Sequence, residues 1–201
     1  AGTGVLTVSY TSDDNGSATI IVRADDSNGS TLDESFTVTV TAVNDAPVVT
    51  DVPDETIAEG GTFTTISLND YVSDTETVDA DIVWTYSGNS NLTVSITSQV
   101  ATITTPADWY GEETITFTAS DTGDGSDAAK NASDDATFTV ISVNDAPKAE
   151  DDSYTVDEGA TLNQVIFGGV LTNDTDEEND ALTIILISDV ANGVLTLNSD
   201  G

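Results

Sequence analysis

The sequence of 201 residues contains no cysteine, no histidine and no methionine. These absences exclude disulfides, thiol chemistry, imidazole acid–base catalysis and the usual zinc sites. Lysine and arginine number 3 against 37 aspartates and glutamates, so a net charge of −34 excludes nucleic acid and anionic membrane surfaces as partners. No apolar run reaches the length of a membrane helix. The sequence therefore predicts no membrane insertion.

Aromatic residues make up 6% of the chain and hydrophobic residues 37%, which predicts small cores that need additional stabilisation. Since carboxylates are the principal acid–base groups left, the remaining enzymatic option is glycoside hydrolysis by a pair of acids. That reaction needs a deep cleft, which small sandwich repeats rarely provide. We therefore expect a protein that is not an enzyme.

Apolar residues that alternate with polar ones dominate the chain. Examples are Ala18-Ile20-Val22, Phe36-Val38-Val40, Ile82-Trp84-Tyr86 and Ile115-Phe117-Ala119, and Leu6-Val8-Tyr10 follows the same pattern. Alternation with a period of two predicts half-buried strands, and the Asx and glycine clusters between them predict turns. The expected fold is all-β, with tandem Greek-key sandwiches.

The pentapeptide Val-Asn-Asp-Ala-Pro occurs at residues 43–47 and again, 100 residues later, at residues 143–147. We call these segments the first linker and the second linker. A period of one domain length predicts a tandem array. The expected domains are the second half of a repeat in 1–46, a complete repeat in 47–146 and the first half of another repeat in 147–201.

The two flanking halves admit two interpretations. A window cut from a longer array would divide in this way. Alternatively, the last residues of one subunit complete the first residues of the next, because 192–201 followed by 1–10 reads as a strand, a turn and another strand. The second interpretation predicts a filament assembled head to tail.

Several motifs together resemble the cadherin-like tandem repeats of large bacterial surface adhesins and other secreted repeat proteins. They are the two linkers, Asp157-Glu-Gly-Ala160, the acidic segment 170–176 and the segment 192–197. The resemblance implies β-sandwich repeats, an extracellular or cell-surface location and Ca²⁺ bound between successive repeats. Neighbouring repeats or subunits of the same protein are the implied partners.

The resemblance also implies the calcium ligands of each linker. The second linker would use Glu59, Asp108, Asn144, Asp145, Asp174 and Asp176. The first linker would use Asp13, Asn44, Asp45, Asp74, Glu76 and Asp121. Glu158 and Asp26 are the equivalents that would face outer junctions. Thr41 and Ile141 stand where the family carries a further aspartate, so one or two ions per linker are expected.

The ligand chemistry supports these residues, because calcium takes six to eight oxygens from carboxylates, amides and carbonyls. Acids spaced as Asp-x-Asp or Asp-x-Glu place two carboxylates on one side of an extended loop. Other acidic pairs, such as Asp134 with Asp135, have the alternative of being solvated turn residues.

The leading hypothesis is a structural extender of a surface protein, stiffened by calcium. The filament subunit described above is one alternative. A carbohydrate-binding module is another, with Trp84 and Trp109 as its candidate aromatic surface. Five Asn-x-Ser/Thr triplets leave attached glycans open as partners, beginning at Asn15, Asn28, Asn91, Asn131 and Asn173.

Overall fold

The computed structural model describes residues 5–125, 127–163 and 169–198, and their regular structure consists of strands and two short 3-10 helices. The strands are β1 Gly16–Asp25, β2 Thr31–Val40, β3 Val48–Val49, β4 Glu55–Ala58, β5 Ile66–Ser67, β6 Val72–Ser73, β7 Val83–Ser87, β8 Thr93–Thr97, β9 Val100–Thr104, β10 Gly111–Ser120 and β11 Asn131–Ile141. The 3-10 helices are Leu68–Tyr71 and Asp79–Asp81. The all-β fold is confirmed. Within the described ranges, no helix has the length and apolarity needed to span a bilayer.

The strands form two larger sheets, one ordered β4-β11-β10-β7 and the other β5-β9-β8, and two pairs, β1-β2 and β3-β6. β8 and β9 are antiparallel, with Thr97 opposite Val100. The two residues of their turn, Ser98 and Gln99, both have positive φ angles, 49° and 64°. That conformation suits the right-handed twist of a two-residue hairpin.

The core is built from alternating residues of these strands. Ile115, Phe117 and Ala119 of β10 are each 0% exposed, as alternation predicts for a sheet with one face in the core. Phe138 of β11 is also 0% exposed and meets the ring of Phe63 edge to face, with 5.2 Å between ring centroids. Apart from Pro47, the buried aliphatic and aromatic side chains of the described chain lie between Val52 and Val140, which places the core within residues 47–146, the segment predicted to be a complete repeat.

Trp84 of β7 belongs to this core, with 8% of its surface exposed. This burial removes Trp84 from the candidate aromatic surface of a carbohydrate-binding module. Its ring is not available for an exposed aromatic strip.

β1 and β2 form a regular hairpin, with Ile20 opposite Phe36, but the hairpin lacks a covered face within the described chain. Ile21 is 67% exposed and Leu32 70% exposed. The strand predicted over Leu6-Val8-Tyr10 is not formed. A strand needs a hydrogen-bonded neighbour; the equivalent β9 lies between β5 and β8, whereas residues 5–10 pair with no described strand.

Residues 147–163 and 169–198 consist mainly of turns and extended segments. The backbone of Lys148 pairs with that of Thr175 in an antiparallel bridge, which matches the pairing of Val48 with Ser73 in the complete repeat. Alternation predicts a strand over residues 192–197, but the structure has no strand there. Val194 of this segment is 96% exposed.

The chain divides into two compact units. The first contains Ala1–Thr56, Thr62–Pro106 and Glu112–Thr139, and the second contains Ile57–Gly61, Ala107–Gly111 and Val140–Gly201. These boundaries do not coincide with those expected for the repeats, and the repeat boundaries at 46/47 and 146/147 stay a prediction. The first linker and its surroundings belong to the first unit, and the second linker and its surroundings to the second.

Candidate metal centres at the two linkers

Asn44 is the buried centre of the first linker, with 0% of its surface exposed. Its side-chain nitrogen donates to Asp121 Oδ2 at 3.1 Å and to the carbonyl of Ala128 at 3.2 Å. Its backbone nitrogen donates to Asp127 Oδ2 at 3.3 Å, and its carbonyl oxygen accepts from the ammonium of Lys130. The loop between β10 and β11 therefore holds this linker from several directions.

Asp121 is the buried carboxylate of this group, only 3% exposed. Its Oδ1 accepts from the backbone nitrogens of Gly123 at 2.8 Å and Lys130 at 3.0 Å. Burial alone would raise the pKa of Asp121, but these two hydrogen bonds, that from Asn44 and the charge of Lys130 together lower it. Asp121 is therefore ionised at neutral pH.

Asp74 and Glu76 approach the first linker from the loop after β6. Asp74 Oδ1 accepts from the backbone nitrogens of Glu76 at 2.9 Å and Thr77 at 2.6 Å, an Asx turn that fixes this loop. Glu76 Oε2 then accepts from the backbone nitrogen of Asp45 at 3.1 Å. Asp13 lines one pocket with Asp45 and Glu76. The structure thus gathers the predicted ligands of the first linker into two adjoining groups.

The second linker brings three carboxylates together. Glu59, Asp145 and Glu178 each place one carboxylate oxygen within 4.8 Å of the other two. Glu59 is held by the turn after β4, where Gly60 has a φ of +72° that favours glycine. Glu59 Oε2 accepts from the backbone nitrogen of Val143 at 3.0 Å, whereas Glu59 Oε1 is buried and finds no hydrogen-bond partner within the described ranges.

Asp145 carries the electrostatic cost of this arrangement. Desolvation is the largest cause that raises its pKa, followed by the charges of Glu178, Glu59, Asp108 and Asp176. Its backbone nitrogen donates to Glu178 Oε2 at 3.3 Å. Without a cation, the second linker therefore concentrates negative charge around Asp145.

The other predicted ligands of the second linker lie around the same residue. Asn144, Asp174 and Asp176 line one pocket with Asp145, and Asp108 lines another with it. Asp174 Oδ1 already accepts from the backbone nitrogen of Glu150, at 2.9 Å. Asn144 is exposed, and within the described residues its side chain donates only to the carbonyl of Asp145, at 2.9 Å.

Glu178 was not predicted from the sequence, although a signal for it exists. Counting 100 residues from Glu76 leads to Asp176. In the structure, however, Glu178 rather than Asp176 accepts from the backbone nitrogen of the linker aspartate, as Glu76 does at the first linker. The motif Ser73-Asp-Thr-Glu76 corresponds to Thr175-Asp-Glu-Glu178, and the matching bridges of Ser73 and Thr175 support this register. The segment between the two paired residues is therefore two residues longer after Lys148 than after Val48.

Two residues expected to face outer junctions adopt related local structures. Asp26 Oδ1 accepts from the backbone nitrogens of Asn28 at 2.8 Å and Ser30 at 3.0 Å, and these bonds lower its pKa. Glu158 precedes Gly159, whose φ of +80° repeats the turn that follows Glu59. Both placements agree with the predicted equivalences.

The donor set of both linkers suits a hard divalent cation. The side chains offer carboxylate and amide oxygens, which calcium prefers. Three of these oxygens are buried and have no hydrogen-bond partner in the part of the chain that the structure describes, namely Glu59 Oε1, Asp74 Oδ2 and Asn44 Oδ1. Because buried polar atoms are normally paired, these oxygens fit positions that a bound cation would satisfy.

Comparisons with known proteins found two kinds of similarity. Residues 144–201 match the family described as the bacterial Ig domain. Among solved structures, human CDH23 EC21-23 is similar with a TM-score of 0.46 and 19% sequence identity, over 83% of this chain and 55% of that one. The chain thus spans about half the length of that structure, and no curated protein matches it. The family match covers residues 144–201 and supports the predicted resemblance to a bacterial repeat over that part of the chain.

Proposed function

We propose that this chain is a structural, non-enzymatic extender of an extracellular bacterial repeat protein, in which calcium bound at the linkers holds successive repeats in line. The observation that carries the proposal is the convergence of Glu59, Asp145 and Glu178 around one point, where Glu59 Oε1 is buried and has no hydrogen-bond partner among the described residues. Three carboxylates at this separation repel one another without a cation. A divalent cation turns that repulsion into attraction.

At the second linker, the residues that would hold the ion are Glu59, Asp145 and Glu178, with Asp108 and Asp176 close enough to influence Asp145 electrostatically. At the first linker, the ligands would be Asp13, Asp45, Asp74 and Glu76, whose side chains approach one another beside the linker backbone. The ion would supply attraction between segments distant in sequence. Each linker would then be fixed to the loops around it.

The proposed location follows from the affinity of such sites. Extracellular calcium modules typically have a Kd of about 10⁻⁴ to 10⁻³ M. A site with such a Kd binds calcium outside a cell and is empty inside one. The linkers would be stiff outside the cell and loose where calcium is scarce. The parent protein would use that stiffness for reach and for resistance to stretching.

The test is unfolding of residues 1–201 in calcium and in chelator, for the unchanged chain and for Glu59→Gln. At a free calcium concentration about a hundredfold above the Kd, each site should add about 2.7 kcal/mol to the free energy of unfolding. Glu59→Gln should remove about one site's share of that gain. Glu34→Gln, at an exposed position of β2, is the matched control and should keep the full gain.

Two outcomes would contradict the proposal. One is an equal free energy of unfolding in calcium and in chelator. The other is an equal loss of the calcium-dependent gain in Glu59→Gln and Glu34→Gln, which would show that net charge rather than ligand geometry matters. Magnesium at the same concentration should give a smaller gain, because it demands a tighter octahedral site.

The exposed apolar surface of the β1-β2 hairpin favours a second candidate, a filament subunit. Val22, Leu32 and Phe36 lie on one face of the hairpin and are 44%, 70% and 38% exposed, and strands from a second copy of this chain would cover them. Electron microscopy of the purified chain, with a variant lacking 192–198 as control, separates the candidates. Fibres formed by the intact chain and not by the shortened one would support the filament, whereas monomers in both samples would exclude it.

A further inference from the structure

Lys130 is one of three cationic residues in a chain with 37 acids, and its ammonium lies at the first linker. It donates to the carbonyl oxygen of Asn44, and its charge helps to lower the pKa of Asp121. Arg23 instead pairs with Asp33 at 2.6 Å, and Lys148 lies 3.7 Å from Glu150. Within the described chain, Lys130 is therefore the cationic residue that donates a hydrogen bond to a linker carbonyl, whereas Arg23 and Lys148 lie beside carboxylates.

The backbone at this position does not require a lysine. Asp121 and Lys130 exchange two hydrogen bonds, from Asp121 N to Lys130 O at 3.1 Å and from Lys130 N to Asp121 Oδ1 at 3.0 Å. Asp26 and Ser30 in the first half repeat make the same two bonds at 3.1 Å and 3.0 Å. A serine thus suffices for the loop, and the lysine side chain adds a separate contact with the linker.

We propose that the Lys130 ammonium is a built-in cation of the first linker, which orders this linker without calcium and weakens its affinity for calcium. The ammonium already binds one linker carbonyl oxygen, and its positive charge repels a second cation nearby. This proposal deepens the proposed function and depends on it for the effect on calcium affinity. The ordering in the absence of calcium does not depend on it.

The second linker has no equivalent within the described residues. Lys148 lines a pocket with Asp108 and Asp145, but its side chain is 77% exposed and its ammonium lies beside Glu150. Glu59, Asp145 and Glu178 instead each place one carboxylate oxygen within 4.8 Å of the other two. We therefore infer that the second linker depends on a bound cation for its order, whereas the first does not.

The decisive experiment compares Lys130→Ser, which introduces the residue of the equivalent position 30, with Arg23→Ser. Both variants remove one positive charge. In chelator, amide hydrogen exchange at Asn44 and Asp45 should be about tenfold faster in Lys130→Ser than in the unchanged chain and unaltered in Arg23→Ser. Lys130→Arg should retain the protection. Equal exchange at these amides in Lys130→Ser and Arg23→Ser would overturn the proposal.

Calcium titration by calorimetry supplies the second readout. Lys130→Ser should bind calcium at the first linker about tenfold more tightly than Arg23→Ser, because a neighbouring positive charge is gone. If calcium binds both variants equally, the effect on affinity is wrong. If calcium binds to neither variant nor to the unchanged chain, the proposed function fails, and the exchange experiment in chelator still decides the role of Lys130.

Discussion

The two linkers have the same five residues but different surroundings. Asn44 and Pro47 of the first linker are buried, whereas Asn144 and Pro147 of the second are exposed. The burial of Asn44 comes from the β10–β11 loop, which lies more than 70 residues later in the chain. The pentapeptide therefore marks a junction, and residues distant in sequence decide its environment.

The two linkers share one backbone hydrogen bond and differ in the electrostatics of the nearby carboxylates. In both, the backbone nitrogen of the linker aspartate donates to a glutamate, Glu76 or Glu178. This glutamate lies three residues after the residue that pairs with position 48 or 148. The carboxylates at the two linkers nevertheless differ, because the pKa of Asp121, which contacts the first linker, is lowered, whereas the pKa of Asp145, within the second, is raised. Hydrogen bonds and a lysine stabilise the first charge, whereas other carboxylates oppose the second.

The largest expected effect is that of Asp121→Ala. It removes the acceptor of hydrogen bonds from Asn44, Gly123 and Lys130, all at a buried carboxylate. Leaving such donors unpaired should lower the free energy of unfolding in chelator by about 2 kcal/mol. Denaturant titration measures it, with Asp81→Asn as the exposed control. A loss no larger than that of the control would remove the difference in metal-free stability between the linkers.

A smaller effect is expected from Glu178→Gln, which tests the part that the linkers share. Because Glu178 occupies the position of Glu76, the substitution should weaken calcium binding at the second linker by about tenfold. Glu177→Gln changes the adjacent charge and should weaken binding by less than about threefold. Calorimetric titration of both variants measures the difference. The opposite ranking would favour the register in which Asp176 is the equivalent of Glu76.

Much of the fold was predictable because it depends on local patterns. Alternation at Ile115, Phe117 and Ala119 specified a strand and its buried face, and both are observed. The prediction of a strand over Leu6-Val8-Tyr10 was wrong. Alternation specifies which face of a strand is apolar, whereas a strand also requires a neighbouring strand for its backbone hydrogen bonds.

The candidate sites were predictable only in part. The resemblance named Asp145 and Glu59, which the structure brings into one cluster, but it did not name Glu178, because a two-residue insertion shifts the register. The contact of Lys130 with Asn44 joins residues 86 positions apart. No local pattern in the sequence signals such a pairing, since it depends on how the loops converge after folding.

The smallest expected effect is the pH dependence of Asp145→Asn in chelator. A raised pKa means that ionisation of Asp145 is harder in the folded chain than in the unfolded one. Its favourable contribution is therefore fully present below the unfolded pKa and is lost as pH rises through the folded pKa. Asp145→Asn should then be slightly more stable than the unchanged chain at neutral pH, and this advantage should disappear in acid. Asp121 has the opposite sign, since its contribution is present above its unfolded pKa and is lost as pH falls through its lowered folded pKa.

Calcium should reverse the sign of the Asp145→Asn effect, because the carboxylate that repels its neighbours in chelator becomes a ligand when the cation is bound. Free energies of unfolding from about pH 3 to pH 7, with and without calcium, provide the measurement. Asp81→Asn serves as the control, with a difference that does not depend on calcium. An advantage of Asp145→Asn that grows toward acid would mean that hydrogen bonds, not neighbouring carboxylates, dominate at Asp145. The two linkers would then share one electrostatic character despite their different burial.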